Sequence, residues 1–144
     1  MSFVTAEYKE RIRKTKERML QKGIDVLLIT DPANLNYLSG YDGWSFYVHQ
    51  MLVLIIDEDQ PKWIGRGQDA NGAKATTWIS YENIISYPDD YVQSDHKHPM
   101  DFVADRLREF GQEKRSIGVE MENYYFTAKC YQQLTKGLPN ATFT

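Results

Sequence analysis

The chain opens with apolar residues at helical spacing. Four of them recur among charged residues: Tyr8, Ile12, Met19 and Leu20. This spacing predicts an amphipathic helix from about residue 7 to residue 22. Thr5 stands where an N-cap is expected, and Gly23 is placed to end the helix in a left-handed conformation.

Two short continuous runs of apolar residues, at about residues 25–30 and 51–56, predict strands that are buried on both faces. We place six strands at about residues 25–30, 51–56, 62–65, 83–87, 116–120 and 141–144. A short polar turn and a proline separate the second strand from the third. These two strands are therefore predicted to form an antiparallel hairpin.

Helical patterns lie between most of the predicted strands. We place them at residues 32–39, 69–77, 101–110 and 127–136. Asp31 and Pro32 suit the N-cap and the first helical position of the first of these helices. The alternation of strands and helices predicts an α/β fold class, with a single domain over residues 1–144. We expect three α/β/α layers and a mixed, mainly parallel sheet that includes one antiparallel hairpin.

Composition narrows the classes of function. The formal net charge is -3, which argues against a nucleic-acid partner because phosphate binding needs a basic surface. No apolar run approaches the ~18 residues of a membrane helix, so no membrane partner is expected. The single cysteine, Cys130, cannot form an intramolecular disulfide, and this indicates a reducing, cytoplasmic setting. Cys130 lies in a helical pattern, where buried packing is its predicted role.

Motifs for phosphate binding or covalent chemistry are missing from the sequence. The glycines at residues 65–72 lack the spacing of a dinucleotide-binding loop, and no P-loop lysine follows them. No serine stands between the two glycines that a nucleophile elbow requires. We therefore predict no catalytic residue in this chain.

One polar stretch contains residue types that can bind a metal. His96 and His98 lie near Asp95 and Asp101, and imidazole and carboxylate groups are suitable zinc ligands. All four belong to a predicted loop at residues 88–99 or its border, and loops align ligands poorly. A solvated loop is the favoured interpretation of this stretch.

Two segments remain as candidates for binding. Residues 41–50 have neither helical nor strand periodicity and are rich in aromatic residues, so they either fill the core or form a recognition surface. Arg66 lies between a strand and a helix, where it could bind a carboxylate; the alternative is that Asp69 caps the helix after a flexible turn. The candidate substrate-entrance residues are Tyr41, Asp42, Trp44, Phe46, Tyr47, His49 and Arg66.

The order of these segments resembles that of a known family. The segment at residues 23–30, which contains the first strand, runs into Asp-Pro-Ala-Asn-Leu-Asn-Tyr-Leu-Ser-Gly-Tyr at residues 31–41, and Ile-Gly-Val-Glu stands at residues 117–120. Together they resemble the N-terminal domain of the creatinase, prolidase and aminopeptidase P family, which has a ribonuclease H-like fold. Within that family, residues 40–47 look most similar to the ectoine hydrolase branch, with Xaa-Pro dipeptidases as the alternative.

The resemblance implies a larger enzyme. A catalytic domain of the pita-bread fold would follow this one. Its two Asp, one His and two Glu would bind a divalent metal (Mn, Zn or Co) that activates water for hydrolysis of a C–N bond. The sequence stops before any such set, so no metal or cofactor is expected in this chain. It also stops inside a predicted strand, as a piece of a longer polypeptide would.

The same resemblance implies a role for the N-terminal domain. It would contribute to homodimer contacts, pack with its own catalytic domain and narrow the entrance for a small zwitterionic substrate, such as ectoine or an Xaa-Pro dipeptide. The part aligned with residues 41–49 reaches towards substrate in creatinase, where an arginine stands near the position of His49. A non-enzymatic binding or scaffold module of the same fold is the alternative.

Overall fold

The computed structural model describes residues 3–43, 45 and 48–144. Its α-helices are α1 (Thr5–Lys22), α2 (Pro32–Ser39), α3 (Gly67–Thr76), α4 (Pro99–Glu109) and α5 (Ala128–Gly137). Its strands are β1 (Val26–Ile29), β2 (Met51–Ile55), β3 (Lys62–Arg66), β4 (Ile84–Tyr87), β5 (Ser116–Val119) and β6 (Thr142–Phe143). Short 3-10 helices at Tyr81–Asn83 and Asp89–Tyr91 flank β4. No helix of the described part of the chain is long and apolar enough to cross a membrane.

The six strands form one mixed sheet in the order β4-β3-β2-β1-β5-β6. β2 runs antiparallel to both of its neighbours, with Ile29 of β1 opposite Leu52. The other three pairings are parallel. The predicted mainly parallel sheet and the hairpin of β2 and β3 are confirmed, and a second antiparallel pairing, between β1 and β2, adds to them.

Helices cover both faces of the sheet, which confirms the three-layer architecture. On one face, α4 and α5 pack through Val103, Leu107 and Leu134 against β2 residues such as Val53. On the other face, α1, α2 and α3 pack against the alternate positions of the same strands. Buried residues of that second cluster include Ile12, Leu35, Leu54, Trp63 and Ala73. Successive strand side chains point to opposite faces, which is why the continuous apolar runs serve both cores.

Helix ends follow the local sequence in most places. Gly23 adopts a φ of 70° after α1, and the Asp31 side chain accepts a hydrogen bond from the backbone N–H of Asn34 at the start of α2. Both features were predicted. The expected cap at Thr5 is wrong, because Thr5 is already helical and Val4 precedes it without a side-chain cap.

Two further boundaries differ from the sequence prediction. α3 begins at Gly67 rather than at Asp69, so Asp69 lies in the first turn and does not cap the helix. An acidic residue in a first turn still interacts favourably with the helix dipole. α4 begins at Pro99, because His98 supplies the N-cap and Asp101 completes a capping box.

The strand directions bring several helix starts to one edge of the sheet. β1, β3, β4 and β5 all end at this edge, where β2 begins. The helices α2 to α5 each follow one of these strands and start at the same edge. Residues 48–50 lead directly into β2, so they also lie there. In open α/β sheets ligands bind beyond the carboxyl ends of the strands, which makes this edge the place to look for a site.

Candidate functional site

The start of the 41–50 segment is anchored in the core by Tyr41. Its side chain is 3% exposed, and its ring packs on Trp63 with centroids 5.4 Å apart. The hydroxyl donates a hydrogen bond of 2.8 Å to the side-chain oxygen of Gln50. Burial raises the pKa of the Tyr41 hydroxyl well above its ordinary value, so it remains a neutral donor. Tyr41 therefore anchors the start of the segment to the core.

Gly43 crosses over this buried tyrosine at close range. A Cβ atom added to Gly43 would overlap the ring and hydroxyl of Tyr41. The backbone carbonyl of Gly43 accepts a 3.0 Å hydrogen bond from the side-chain nitrogen of Gln50. Gln50 therefore ties the two ends of the segment together, a role that residue spacing could not reveal.

The other predicted entrance residues of this segment have different positions. Asp42 is exposed. Trp44, Phe46 and Tyr47 lie outside the described residues, so their place at the entrance stays a prediction. His49 is half-buried at the sheet edge, and its backbone carbonyl accepts a hydrogen bond from the hydroxyl of Tyr87, at the end of β4.

A cleft of about 170 Å³ opens beside the segment, between the end of β1 and the start of α5. Residues that line it include Thr30, Ser45, His49, Gln50, Tyr124 and Thr127. We call it the edge cleft. Hydroxyl, amide and imidazole groups alternate with aromatic surface in its walls. This mixture suits a small ligand that has both polar and apolar parts.

Glu120 holds Thr30, a residue in the wall of the edge cleft. Its carboxylate accepts hydrogen bonds from the backbone N–H groups of Thr30 and Asp31, the latter at 2.9 Å. It also accepts a 2.7 Å hydrogen bond from the side chain of Asn34. Since Glu120 follows β5 and Thr30 follows β1, this one carboxylate joins the ends of two neighbouring strands. In the sequence analysis, Glu120 appeared only as part of the Ile-Gly-Val-Glu motif that resembles the family.

Arg66 stands at the end of β3 on the same edge of the sheet. Its guanidinium forms an ion pair with Asp89, with Nε 3.0 Å from the carboxylate oxygen. β2 separates β3 from β1 in the sheet, so the ends of β3 and β1 are two strands apart. Contact between Arg66 and a substrate carboxylate stays a prediction.

The ring of His49 approaches two residues that come from other parts of the chain. Its Nδ1 lies 3.7 Å from Sγ of Cys130, and its ring centroid is 5.1 Å from that of His98. Cys130 is fully buried, as predicted. Burial lowers the pKa of His49, and burial together with His49 lowers the pKa of His98 to about 4. Both imidazoles are therefore neutral at physiological pH.

The structure corrects the interpretation of the His96–His98 stretch. His96 is exposed, as a solvated loop requires. His98 is half-buried, and its Nδ1 accepts a 3.0 Å hydrogen bond from the backbone N–H of Met100 as the N-cap of α4. The usual capping-box signature is Ser or Thr followed three residues later by Glu or Gln, and His98 with Asp101 does not match it, so the sequence did not indicate this cap.

Comparisons with known proteins agree with this architecture. Residues 11–144 match the family described as the Creatinase/Prolidase N-terminal domain. An ectoine hydrolase from Halomonas elongata is 49% identical over 144 residues. A hydrolase/peptidase from Sinorhizobium fredii, y4tM, is 46% identical over 143 residues. The sequence similarity to an ectoine hydrolase that residues 40–47 predicted is thus confirmed.

The two relatives are much longer than this chain. Each alignment covers 99% of the chain but only 36% of the relative, so the chain spans about a third of their length. The solved N-terminal domain of cytoplasmic peptidase PepQ from Mycobacterium tuberculosis H37Rv superposes with a TM-score of 0.67 at 22% identity. That superposition covers 94% of this chain and 91% of the PepQ domain, which shows that the two share a fold.

Proposed function

Because the chain belongs to the creatinase/prolidase N-terminal domain family, we propose that it is the non-catalytic N-terminal domain of a larger hydrolase that cleaves C–N bonds. The edge cleft is the observation that carries this proposal. It lies beyond the carboxyl ends of the strands, a position that ligands favour in open α/β sheets, and its lining includes Ser45, His49 and Gln50. The domain would form one wall of the substrate entrance, and the reacting groups would come from a domain that follows it.

The substrate that we propose is a small zwitterion, either ectoine or an Xaa-Pro dipeptide. The similarity to an ectoine hydrolase at 49% identity favours ectoine. The mixed polar and aromatic lining of the edge cleft, and its volume of about 170 Å³, suit a ligand of that size better than a long peptide. His49 would face the substrate from the floor of the cleft, and Trp44, Phe46 and Tyr47 would add aromatic walls.

The metal of the proposed reaction belongs to the following domain. The family resemblance implies two Asp, one His and two Glu as its ligands, a set of oxygen-rich ligands that suits Mn²⁺, Zn²⁺ or Co²⁺. In the part of this chain that the structure describes, the one group of three His, Cys, Asp or Glu side chains arranged for a metal consists of two imidazoles and a thiol. That donor set does not fit the family's catalytic centre. When bound, the catalytic metal would activate a water molecule.

The partners that we propose are the following catalytic domain and a second copy of the protein. In the dimer, the entrance of one subunit would be narrowed by this domain of the other. A cytoplasmic location is proposed from the lone buried cysteine, and it agrees with the similarity in fold to a cytoplasmic peptidase domain.

The test compares the natural full-length protein with the 144-residue chain. Both are loaded with Mn²⁺ or Zn²⁺ and assayed for hydrolysis of ectoine and of an Xaa-Pro dipeptide. We expect turnover of one of these substrates by the full-length protein and none by the chain alone. Turnover by the chain alone would refute a non-catalytic role. A metal-loaded full-length protein that hydrolyses neither substrate would contradict the assignment and favour a binding or scaffold module.

A further inference from the structure

Three potential metal ligands meet beneath the edge cleft. They are His49, which precedes β2, His98, the N-cap of α4, and Cys130, in the first turn of α5. One ligand atom from each lies within 4.8 Å of the other two. The described residues contain no other cluster of this type, and none of the three belongs to the acidic ligand set of the proposed catalytic domain.

The distances suit a tetrahedral ion after small side-chain movements. Zinc binds nitrogen at roughly 2.0–2.1 Å and sulfur at roughly 2.3 Å, so a tetrahedral site separates its N and S ligands by about 3.5 Å. Sγ of Cys130 lies 3.7 Å from Nδ1 and 3.9 Å from Nε2 of His49. Because the two distances are similar, rotation of the ring can turn either nitrogen towards a shared ion.

Two neighbouring residues position His49. The backbone of Tyr125 lies beside its ring and favours the protonated imidazole, although burial outweighs this effect. A backbone acceptor at the second ring nitrogen orients metal-bound histidines in proteins. The hydroxyl of Tyr87 fixes the backbone of His49 as well.

To bind a cation, His98 has to give up the hydrogen bond that its ring accepts from Met100. Its Nδ1 now accepts a hydrogen bond from Met100, which places the ring proton on Nε2. Binding of a cation through Nε2 moves that proton to Nδ1 and removes the cap from Met100. The other half of the capping box, from the backbone N–H of His98 to the Asp101 carboxylate at 3.0 Å, is kept. Loss of one cap hydrogen bond is small beside the binding free energy of a structural zinc site.

We propose that His49, His98 and Cys130 form a three-ligand site for Zn²⁺ or a similar borderline-soft divalent cation. Two imidazoles and a thiolate favour zinc over Mg²⁺ or Ca²⁺, which prefer oxygen. On binding, the thiol proton leaves to solvent and the sulfur–metal bond forms. Water takes the fourth position, since His49 also lines a second cleft that reaches His98. The ion would fasten the 41–50 segment to the starts of α4 and α5.

The experiment uses the 144-residue chain, so that a catalytic metal in a following domain cannot contribute. Metal-free chain is titrated with Zn²⁺ by calorimetry and with Co²⁺ by absorption spectroscopy. We expect one ion per chain, a thiolate-to-cobalt charge-transfer band and a rise in Tm with zinc, because a ligand that binds the folded state stabilises it. A chain that binds no stoichiometric metal would overturn the proposal.

Variants separate the proposed ligands from nearby groups. Cys130→Ser removes the thiolate, and His98→Asn removes the imidazole but keeps a side chain that can cap α4. Each should weaken zinc binding by more than the roughly 10- to 100-fold that loss of a supporting residue costs, and Cys130→Ser should abolish the charge-transfer band. His96→Asn, on the exposed part of the same loop, is the matched control and should bind as the wild type does.

Two results would contradict the site even if zinc binds. If both ligand variants, shown to be folded by circular dichroism, keep wild-type affinity, the ion lies elsewhere. If His96→Asn loses binding as strongly as His98→Asn, the loop surface and not the buried cluster holds the ion. Neither result affects the proposed entrance function, which the hydrolysis assay tests separately.

Discussion

Glu120 accepts a 2.9 Å hydrogen bond from the backbone N–H of Asp31, although 89 positions separate the two residues. The bond joins the end of β5 to the start of α2. Asp31 itself caps α2 and accepts a 3.0 Å hydrogen bond from the side chain of Asn123. The junction of β1, α2 and β5, which includes the cleft residue Thr30, is therefore held by carboxylate acceptors and not by apolar packing alone.

Loss of this carboxylate should destabilise the domain. Glu120→Ala leaves the backbone N–H groups of Thr30 and Asp31 without their acceptor, and hydrogen bonds to charged groups contribute about 1.5–3 kcal/mol each. We expect the free energy of unfolding to fall by about 2–4 kcal/mol, measured by urea denaturation. Glu122→Ala, at an exposed position nearby, should stay within about 0.5 kcal/mol of the wild type. Equal effects of the two changes would show that the Glu120 contacts do not support the fold.

The contact between Gly43 and Tyr41 predicts opposite effects for two glycine substitutions. Gly43→Ala places a Cβ atom against the buried Tyr41 ring, and overpacking of this kind costs about 1–3 kcal/mol. Gly72→Ala lies within α3 with open space around its Cβ position, so it should stabilise the domain by about 0.5–1 kcal/mol. Thermal unfolding of both variants checks the pair. A stabilising Gly43→Ala would mean that the segment does not cross Tyr41 at close range.

Asp25 should contribute to the free energy of unfolding at neutral pH, and this contribution should be lost in acid. The backbone N–H of Ser116 and the guanidinium of Arg115 hold the pKa of the Asp25 carboxyl below its ordinary value of 3.8. Because the folded-state pKa is depressed, the stabilisation is complete above the ordinary pKa and disappears as pH falls through the folded-state value. Asp25→Asn should therefore be less stable than the wild type at pH 7, by less than about 1 kcal/mol for this partly exposed pair.

The Asp25 prediction is checked by urea denaturation between neutral and acidic pH. The difference between Asp25→Asn and the wild type should shrink as the pH falls below that ordinary carboxyl pKa. Asp95→Asn, on the exposed part of the 88–99 loop, serves as the control and should show no comparable trend. If the difference in unfolding free energy between Asp25→Asn and the wild type grows as the pH falls, the prediction is wrong.

Trp44 provides the sharpest test of the entrance in the full-length protein. Removal of one aromatic wall should weaken substrate binding by about 1.4 kcal/mol, which is tenfold in KM. Trp44→Ala should therefore raise KM about tenfold and leave the metal content of the protein unchanged. Steady-state kinetics with the substrate that the hydrolysis assay identifies, together with metal analysis, measure both quantities. An unchanged KM would show that Trp44 does not contribute to substrate binding at the entrance.

Local features of the sequence predicted most of the elements. The spacing of Ile12 and Met19 indicated α1, and Asp31-Pro32 marked the start of α2, because helix periodicity and capping act over a few residues. The sequence prediction was wrong at two helix starts, where more than one residue could begin the helix. Thr5 and Asp69 both looked like caps, but the backbone became helical before the side chains could act.

The candidate site was predictable only in outline. Residues 41–50 were identified because they lack periodicity, yet Tyr41 proved to be a buried support and Gln50 a tie across the segment. His98 was assigned to a solvated loop because nothing local to residues 88–99 shows that Cys130 and His49 pack beside it. Such a meeting depends on which faces of α4 and α5 turn towards the sheet.

The sequence by itself determined the α/β class, the hairpin, the family and the absence of common catalytic motifs, since these follow from periodicity, composition and the order of segments. The tertiary structure alone decided that β2 runs antiparallel to β1, that Glu120 reaches Asp31, and that His49 lies beside Cys130, 81 positions away. Contacts between distant residues depend on strand order and helix packing. They arise from burial of two apolar faces by the whole chain, and no short stretch of residues encodes them.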